Sequence, residues 1–276
     1  MVSGTDNLIS SLKRFFGYNT FRNHQKEIIE ATLKEQDVFA VLPTGAGKSL
    51  CYQLPAIIRP GTTIVISPLI ALMIDQVRQL SELNIPAAFL NSTLDFVDKQ
   101  HLLTHLGNFK LIYVSPEKFM DPEFLARISD IPVSSVVIDE AHCISQWGHS
   151  FRPEYRKLSI IKERFPEVPV AAFTATATPQ VANDIAELLA LKDPLKIIGS
   201  FDRSNLMIRF HDRIHQKNQV SAFLASQKET SGIIYAPTRK KVDDTHSWLS
   251  DQGIHSVKYH AGLSESDRVT AQKAFI

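Results

Sequence analysis

Short runs of β-branched and other apolar residues, at 38–42, 63–66, 87–90, 111–114, 136–138, 170–173 and 195–198, alternate with longer stretches of helical spacing. The runs are too short for helices and too continuously apolar for strands with one wet face. Strands of that kind, alternating with helices, imply a parallel sheet covered on both faces. The connecting segments agree. Leu69, Leu72, Met73, Val77, Leu80 and Leu83 recur at helical spacing and predict one buried helix face. Thr178-Pro179 offers an N-cap followed by a first-turn proline, and Val181, Ile185, Leu188 and Leu189 form the stripe behind it.

A polar, charge-rich stretch at 199–219 marks a boundary. Beyond it the pattern predicts a strand at 232–235, a helix at 239–249, a strand at 256–259 and a helix from 265. A segment this short buries little surface by itself. The expected organisation is one lobe over 1–205 and an incomplete second lobe over 206–276.

Composition removes several classes. The formal net charge is +1, so any phosphate binding needs a local basic patch rather than a basic total. The two cysteines, Cys51 and Cys143, lie far apart and outside any CxxC, which argues against a disulfide framework and a cysteine zinc site. Residues 1–16 lack the apolar block of a secretory signal, and no apolar run nears the ~18 residues of a membrane span. The expectation is a soluble, intracellular protein in a reducing compartment, without membrane contact.

The first predicted strand runs into Pro43-Thr44-Gly45-Ala46-Gly47-Lys48-Ser49. Gly45 and Gly47 let backbone N–H groups close around phosphate oxygens, with Thr44 and Ala46 completing the turn. The following helix turns its positive end to the same anion. Lys48 can reach the β- and γ-phosphates, and the Ser49 hydroxyl can ligate Mg²⁺. The general GxxxxGK[ST] pattern begins with glycine, and Leu42 stands there instead. A second site therefore decides the reading. Val136-Val137-Ile138 ends in Asp139-Glu140-Ala141-His142. Paired acids at the C-terminal end of a parallel strand stand where such sheets bind ligands. Asp139 would hold Mg²⁺, and Glu140 would orient the water that attacks the γ-phosphate. His142 could couple the site to the other lobe. Together the two motifs point to ATP hydrolysis.

Once these motifs are assembled, the chain resembles the RecQ family of superfamily-2 helicases from about Phe15 onward. The most specific segment is Cys143-Ile144-Ser145-Gln146-Trp147-Gly148-His149-Ser150-Phe151-Arg152-Pro153-Glu154-Tyr155, directly after the acids. It matches the family's aromatic-rich loop, in which Gln146, Trp147 and Phe151 would meet single-stranded bases and Arg152 a phosphate. Base contact there would shift Glu140 and make hydrolysis depend on DNA. On chemistry alone, Trp147, Phe151 and Tyr155 could also be core residues. Phe16-Gly17-Tyr18 and Phe21-Arg22-Asn23-His24-Gln25 resemble the adenine-recognition segment. There Gln25 suits the adenine edge, while Tyr18 and Arg22 suit stacking on the base.

Ser67-Pro68-Leu69-Ile70-Ala71-Leu72-Met73-Ile74-Asp75-Gln76 resembles a segment that contacts the nucleic-acid backbone, through Ser67 and helix-start N–H groups. Ser115-Pro116-Glu117 resembles a neighbouring one. Thr174-Ala175-Thr176 resembles the segment that couples ATP state to strand movement, its hydroxyls reaching the acidic box across the sheet. Ser200-Phe201-Asp202-Arg203-Ser204-Asn205-Leu206, Ile233-Ile234-Tyr235-Ala236-Pro237-Thr238-Arg239 and Tyr259-His260-Ala261-Gly262-Leu263 resemble the opening of the second lobe.

The resemblance implies a RecA-like α/β P-loop lobe, its parallel sheet flanked by helices, plus an incomplete second RecA-like lobe. It implies a 3′-to-5′ DNA helicase of repair and recombination, using ATP and Mg²⁺ on single-stranded or partly duplex DNA. Such a protein works in the bacterial cytoplasm or nucleoid, or in a eukaryotic nucleus. The match stops at Ile276, before the arginine finger, the zinc module and the winged helix. The chain is therefore expected to bind Mg-ATP, hydrolyse it poorly and not unwind DNA alone. Three alternatives stay open: an ATP-switched single-stranded-DNA-binding module, an RNA helicase, and a small-molecule kinase with a phosphate loop.

Overall fold

The computed structural model describes residues 4–91, 94–147, 151–200, 206–227 and 230–275. The chain divides into two compact units, Met1–Leu206 and Met207–Ile276.

The first unit is built on seven parallel strands: β1 (Val38–Val41), β2 (Thr62–Ile66), β3 (Ala87–Leu90), β4 (Leu111–Val114), β5 (Val133–Ile138), β6 (Val170–Thr174) and β7 (Leu195–Ile198). Their order across the sheet is β3-β4-β2-β5-β6-β1-β7. Each coincides with one of the apolar runs, and the reason lies in burial. Val38, Ala40 and Leu42 enter one core cluster, whereas Phe39 and Val41 enter another. On β5, Val136 and Ile138 face the second cluster while Val137 faces the first. Successive strand residues point to opposite faces, so a strand apolar at every position must be covered twice. Strand β5 begins earlier than its apolar run because Thr63 Oγ1 pairs with Ser134 Oγ at 2.9 Å and Ser135 Oγ at 3.0 Å. Buried hydroxyls that satisfy one another tolerate a dry sheet.

One face is covered by helices Gln25–Leu33, Lys48–Ile58 and Ile70–Glu82, which contribute Ile28, Cys51, Tyr52, Met73 and Leu80. The other is covered by Phe96–Thr104, Pro122–Ser129 and Pro179–Leu188, among shorter helices. The last of these starts as expected: Thr178 Oγ1 accepts from Val181 N at 3.3 Å, and Val181, Ile185 and Leu189 are buried. The stripe of helix Ile70–Glu82 differs from its reading. Met73 and Leu80 are buried with Val77 packed beside them, but Leu69 and Leu83 are exposed. These two occupy the N-cap and C-cap positions, where the chain leaves the face that touches the sheet.

The second unit contains helices Gln216–Ser226, Arg239–Asp251 and Glu265–Phe275. The last two fall at the expected positions, and Thr238 caps Arg239–Asp251 by accepting from Lys241 N. Helix Gln216–Ser226 lies partly in the stretch read as boundary. The strands expected at 232–235 and 256–259 do not form. A strand exists through its ladder partners, and among the described residues these segments have none; Ile233, Tyr235 and Tyr259 stand exposed. The resembling segment at 200–206 lies largely outside the described residues.

Candidate nucleotide and nucleic-acid site

The C-terminal ends of β5, β6 and β1 are neighbours, because those strands are adjacent in the sheet. Leu42 N donates to Thr174 O at 2.9 Å and Asp139 N to Ile66 O at 2.9 Å, which carries the ladder to its last rung. From those rungs the chain enters the phosphate-type loop after β1 and the acidic segment after β5.

In the loop, Gly45 and Gly47 have φ of 82° and 81°, in the left-handed region that favours glycine. Gly47 is also the N-cap residue of helix Lys48–Ile58. A Cβ added to Gly47 would collide with Gln25 Nε2. The reason is that Gln25, buried at the start of helix Gln25–Leu33, reaches under the loop. Its amide donates to Ala46 O at 3.2 Å and Gly47 O at 3.1 Å, and its oxygen accepts from Arg22 N at 2.8 Å. Arg22 Nη1 donates to Gly45 O. Gln25 and Arg22 thus hold the carbonyls of Gly45, Ala46 and Gly47 from behind. Tyr18 and Thr44 are exposed, and Ala46, Lys48 and Ser49 are half-buried. Lys48 Nζ donates to Leu42 O at 3.2 Å, so its ammonium is folded over the mouth of the loop.

Asp139 is buried, and burial followed by the neighbouring Glu140 charge raises its carboxyl to about 6. The Lys48 ammonium opposes that shift, which brings the two motifs to one place. Glu140 takes a left-handed backbone with φ 50°. Its own N–H donates to Asp139 Oδ1 at 3.0 Å. His142 Nδ1 lies 2.9 Å from Thr174 Oγ1 and 3.2 Å from Glu140 Oε2. Hydrogen bonding to the Cys143 sulfur, then to the Glu140 carboxylate, raises His142 to about 9. The imidazole therefore ties the acidic segment to the end of β6.

The aromatic segment divides by exposure. Trp147 is 70% exposed and Gln146 is exposed. Phe151 and Arg152 are half-buried, and residues 148–150 lie outside the described residues. Tyr155 is fully buried, and its hydroxyl donates to Asp139 O at 3.1 Å. Arg152 N donates to Cys143 O at 3.0 Å, and its Nη1 donates to Pro68 O at 3.3 Å. The loop is thereby fastened to the segment after β2. Ser67 itself is buried, and its hydroxyl has no hydrogen-bond partner. Sequence reasoning missed three features: the Tyr155 bond to Asp139, the Gln25 brace, and a buried contact among Gln53, Gln76 and Tyr113. Nothing in local spacing signals them, because each joins residues remote in the chain.

A parallel sheet with a glycine-lined loop on one strand end and paired acids on a neighbouring one defines a RecA-like P-loop lobe. The family model of the DEAD/DEAH box helicases matches residues 22–185, and the chain belongs to that family. The ATP-dependent DNA helicase RecQ of Pasteurella multocida is 47% identical over 96% of this chain and 42% of its own length. The protein of the same name from Bacillus subtilis is 40% identical over 97% of this chain and 46% of its own. The chain thus spans under half the length of these relatives. The solved structure of the DUF1998 helicase MrfA shares the fold, with a TM-score of 0.68 over 92% of this chain at 17% identity. Among the described residues, no helix is long and apolar enough to cross a membrane.

Proposed function

We propose that the chain is the nucleotide-binding lobe, with the opening of a second RecA-like lobe, of an ATP-dependent DNA helicase that moves 3′ to 5′. The domain division placed at 1–205 and 206–276 belongs to this proposal. One observation carries it: Lys48, Asp139 and the base of the aromatic segment converge on one end of one sheet. The RecQ relatives, named as ATP-dependent DNA helicases, support DNA as the partner. A DNA-acting motor works in the bacterial cytoplasm and nucleoid or in a eukaryotic nucleus.

The residues suit Mg-ATP. Two glycines with positive φ free the loop's N–H groups for phosphate oxygens, and Lys48 needs only to leave Leu42 O to join them. Ser49 and Asp139 offer a hydroxyl and a carboxylate, hard oxygen donors of the kind magnesium takes alongside water and phosphate. A bound magnesium ion supplies charge neutralisation at the β- and γ-phosphates. Glu140, held by its own backbone bond to Asp139 and by His142, orients the attacking water. Tyr18 and Arg22 flank the nucleotide base. Gln25 reads adenine by exchanging its loop bonds for the base edge. Gln146, Trp147 and Phe151 stack on single-stranded bases, while Arg152 and Ser67 serve the phosphates. Ser67 reaches a phosphate only after its segment shifts, since its hydroxyl is now enclosed.

The test is ATP hydrolysis with and without single-stranded DNA for the wild type, Lys48→Ala and Trp147→Ala. Lys48→Ala is expected to abolish turnover, and Trp147→Ala to remove the DNA response while sparing the DNA-free rate. Turnover in Lys48→Ala equal to wild type would refute the assignment. Competition between single-stranded DNA and RNA decides the substrate class.

A further inference from the structure

The sheet face beneath the nucleotide loop holds a buried polar chain that the chemistry above does not use. Tyr52 and Gln53 follow one another in helix Lys48–Ile58, Tyr113 lies on β4, and Gln76 lies on helix Ile70–Glu82. Tyr52, Gln53 and Tyr113 are buried. Gln53 Nε2 donates to Tyr113 OH at 3.0 Å and to Gln76 Oε1 at 2.9 Å. Tyr113, Gln53 and Gln76 form one hydrogen-bonded run. It is carried by the helix that begins at Lys48, in the phosphate loop, and ends inside the helix that follows Ser67-Pro68.

The surroundings are apolar: Val65, Met73, Leu80, Val137 and Phe173 belong to the same cluster as the two tyrosines. The Tyr52 ring packs against Phe173 with centroids 5.7 Å apart. In such a layer, apolar side chains of similar volume would stabilise as well. A polar series instead makes each bond depend on the next. Gln53 divides its two amide protons between Tyr113 and Gln76. Any shift of helix Lys48–Ile58 that moves Gln53 is therefore passed to Gln76.

We propose that this hydrogen-bonded run couples occupancy of the phosphate loop to helix Ile70–Glu82, with Gln53, Tyr113 and Gln76 as positioning residues. The proposal rests on the reading of the loop as a nucleotide site. Helix Lys48–Ile58 shifts when a ligand fills the loop at its start, Gln53 moves with it, and helix Ile70–Glu82 moves or tightens against the sheet. That helix adjoins Pro68, the residue that Arg152 clasps, so the effect reaches the aromatic segment.

Amide hydrogen exchange on the whole chain, with and without magnesium and the non-hydrolysable analogue adenylyl imidodiphosphate, tests this. In the wild type, the analogue is expected to slow exchange at 44–50 and also, by about threefold or more, at 70–82. Tyr113→Phe and Gln76→Met should keep the protection at 44–50 and lose it at 70–82. Gln76→Glu keeps an acceptor oxygen for Gln53 and should retain both. A response at 70–82 that survives in Tyr113→Phe and Gln76→Met overturns the proposal, as does Gln76→Glu behaving like Gln76→Met. Gln76 is half-buried, so its variants serve if Tyr113→Phe does not fold. Wild-type protection at 44–50 with none at 70–82 defeats the relay alone. No protection at 44–50 defeats the nucleotide site and the relay with it.

Discussion

Asp139 carries a contradiction at the scale of a single side chain: a carboxylate meant for a cation is buried against apolar strands, and its carboxyl rises to about 6. The folded metal-free protein then holds that proton more tightly than the unfolded chain does. Between the ordinary carboxylate value and about 6, raising the pH ionises the unfolded state first, so the folded state loses stability across that window. Asp139→Asn removes the penalty. Its stability advantage over wild type, in chelator and by urea denaturation, should be near zero at about pH 4, grow through pH 6 and level off at ~3 kcal/mol. An advantage independent of pH would contradict the burial argument. His142 behaves differently: its bonds to the Cys143 sulfur and then the Glu140 carboxylate contribute below the ordinary imidazole value and fade as pH rises through about 9. The positions of Lys48 and Asp139 were legible because each closes a strand–turn pattern that is local in the chain. Tyr155 was not, since on chemistry alone it served equally as a core residue. It is both, a buried ring whose hydroxyl meets Asp139 O.

Among the elements, the strands were legible for a reason that also shows how the sheet is pinned. A short run apolar at every position forms a strand where both of its faces are covered, and Asp37 stands at the head of β1. It is buried and accepts from Val170 N at 2.8 Å, Lys192 N at 2.7 Å and Lys162 Nζ at 2.8 Å. One carboxylate thus joins the starts of β1 and β6 to the turn before β7, at the end of the sheet away from the loop. Removing it leaves an enclosed ammonium, the buried Val170 N–H and the part-buried Lys192 N–H without that acceptor. Asp37→Ala is expected to cost ~3–5 kcal/mol in urea denaturation. Thr178→Ala, which removes one cap on a surface helix, should cost only ~1 kcal/mol. Comparable losses in the two variants would show that Asp37 is not the pin described. The helix stripe at 69–83 was read too widely because spacing alone does not tell where a helix leaves its sheet. Leu69 and Leu83 fit the period and yet fall on the caps. The segments at 232–235 and 256–259 have strand composition, but composition supplies no ladder partner.

Across the molecule the two units differ in how they are held together. The first buries dozens of apolar side chains on both faces of its sheet. Within the described residues of 207–276, Leu249 is the single buried one. Helix Arg239–Asp251 is held to the segment after it mainly by polar contacts: Asp243 meets Lys258 Nζ at 2.7 Å and His260 Nε2 at 3.4 Å, and His246 meets Ser256 at 2.8 Å. Asp243 is lowered by hydrogen bonds from Lys258 and then His260, but ion pairs open to solvent contribute little to stability. Apolar burial is the dominant stabilising term in folding, so local opening should follow the distribution of cores. Amides at 207–275 are expected to exchange by opening events several kcal/mol cheaper than those of β2 and β5, whose residues are buried save the half-buried Val133. Limited proteolysis should accordingly cut within 207–275 first and leave a product that contains the complete sheet. Exchange at 239–251 as slow as at 133–138 would show that the second unit has a stabilising interface that its own burial does not reveal.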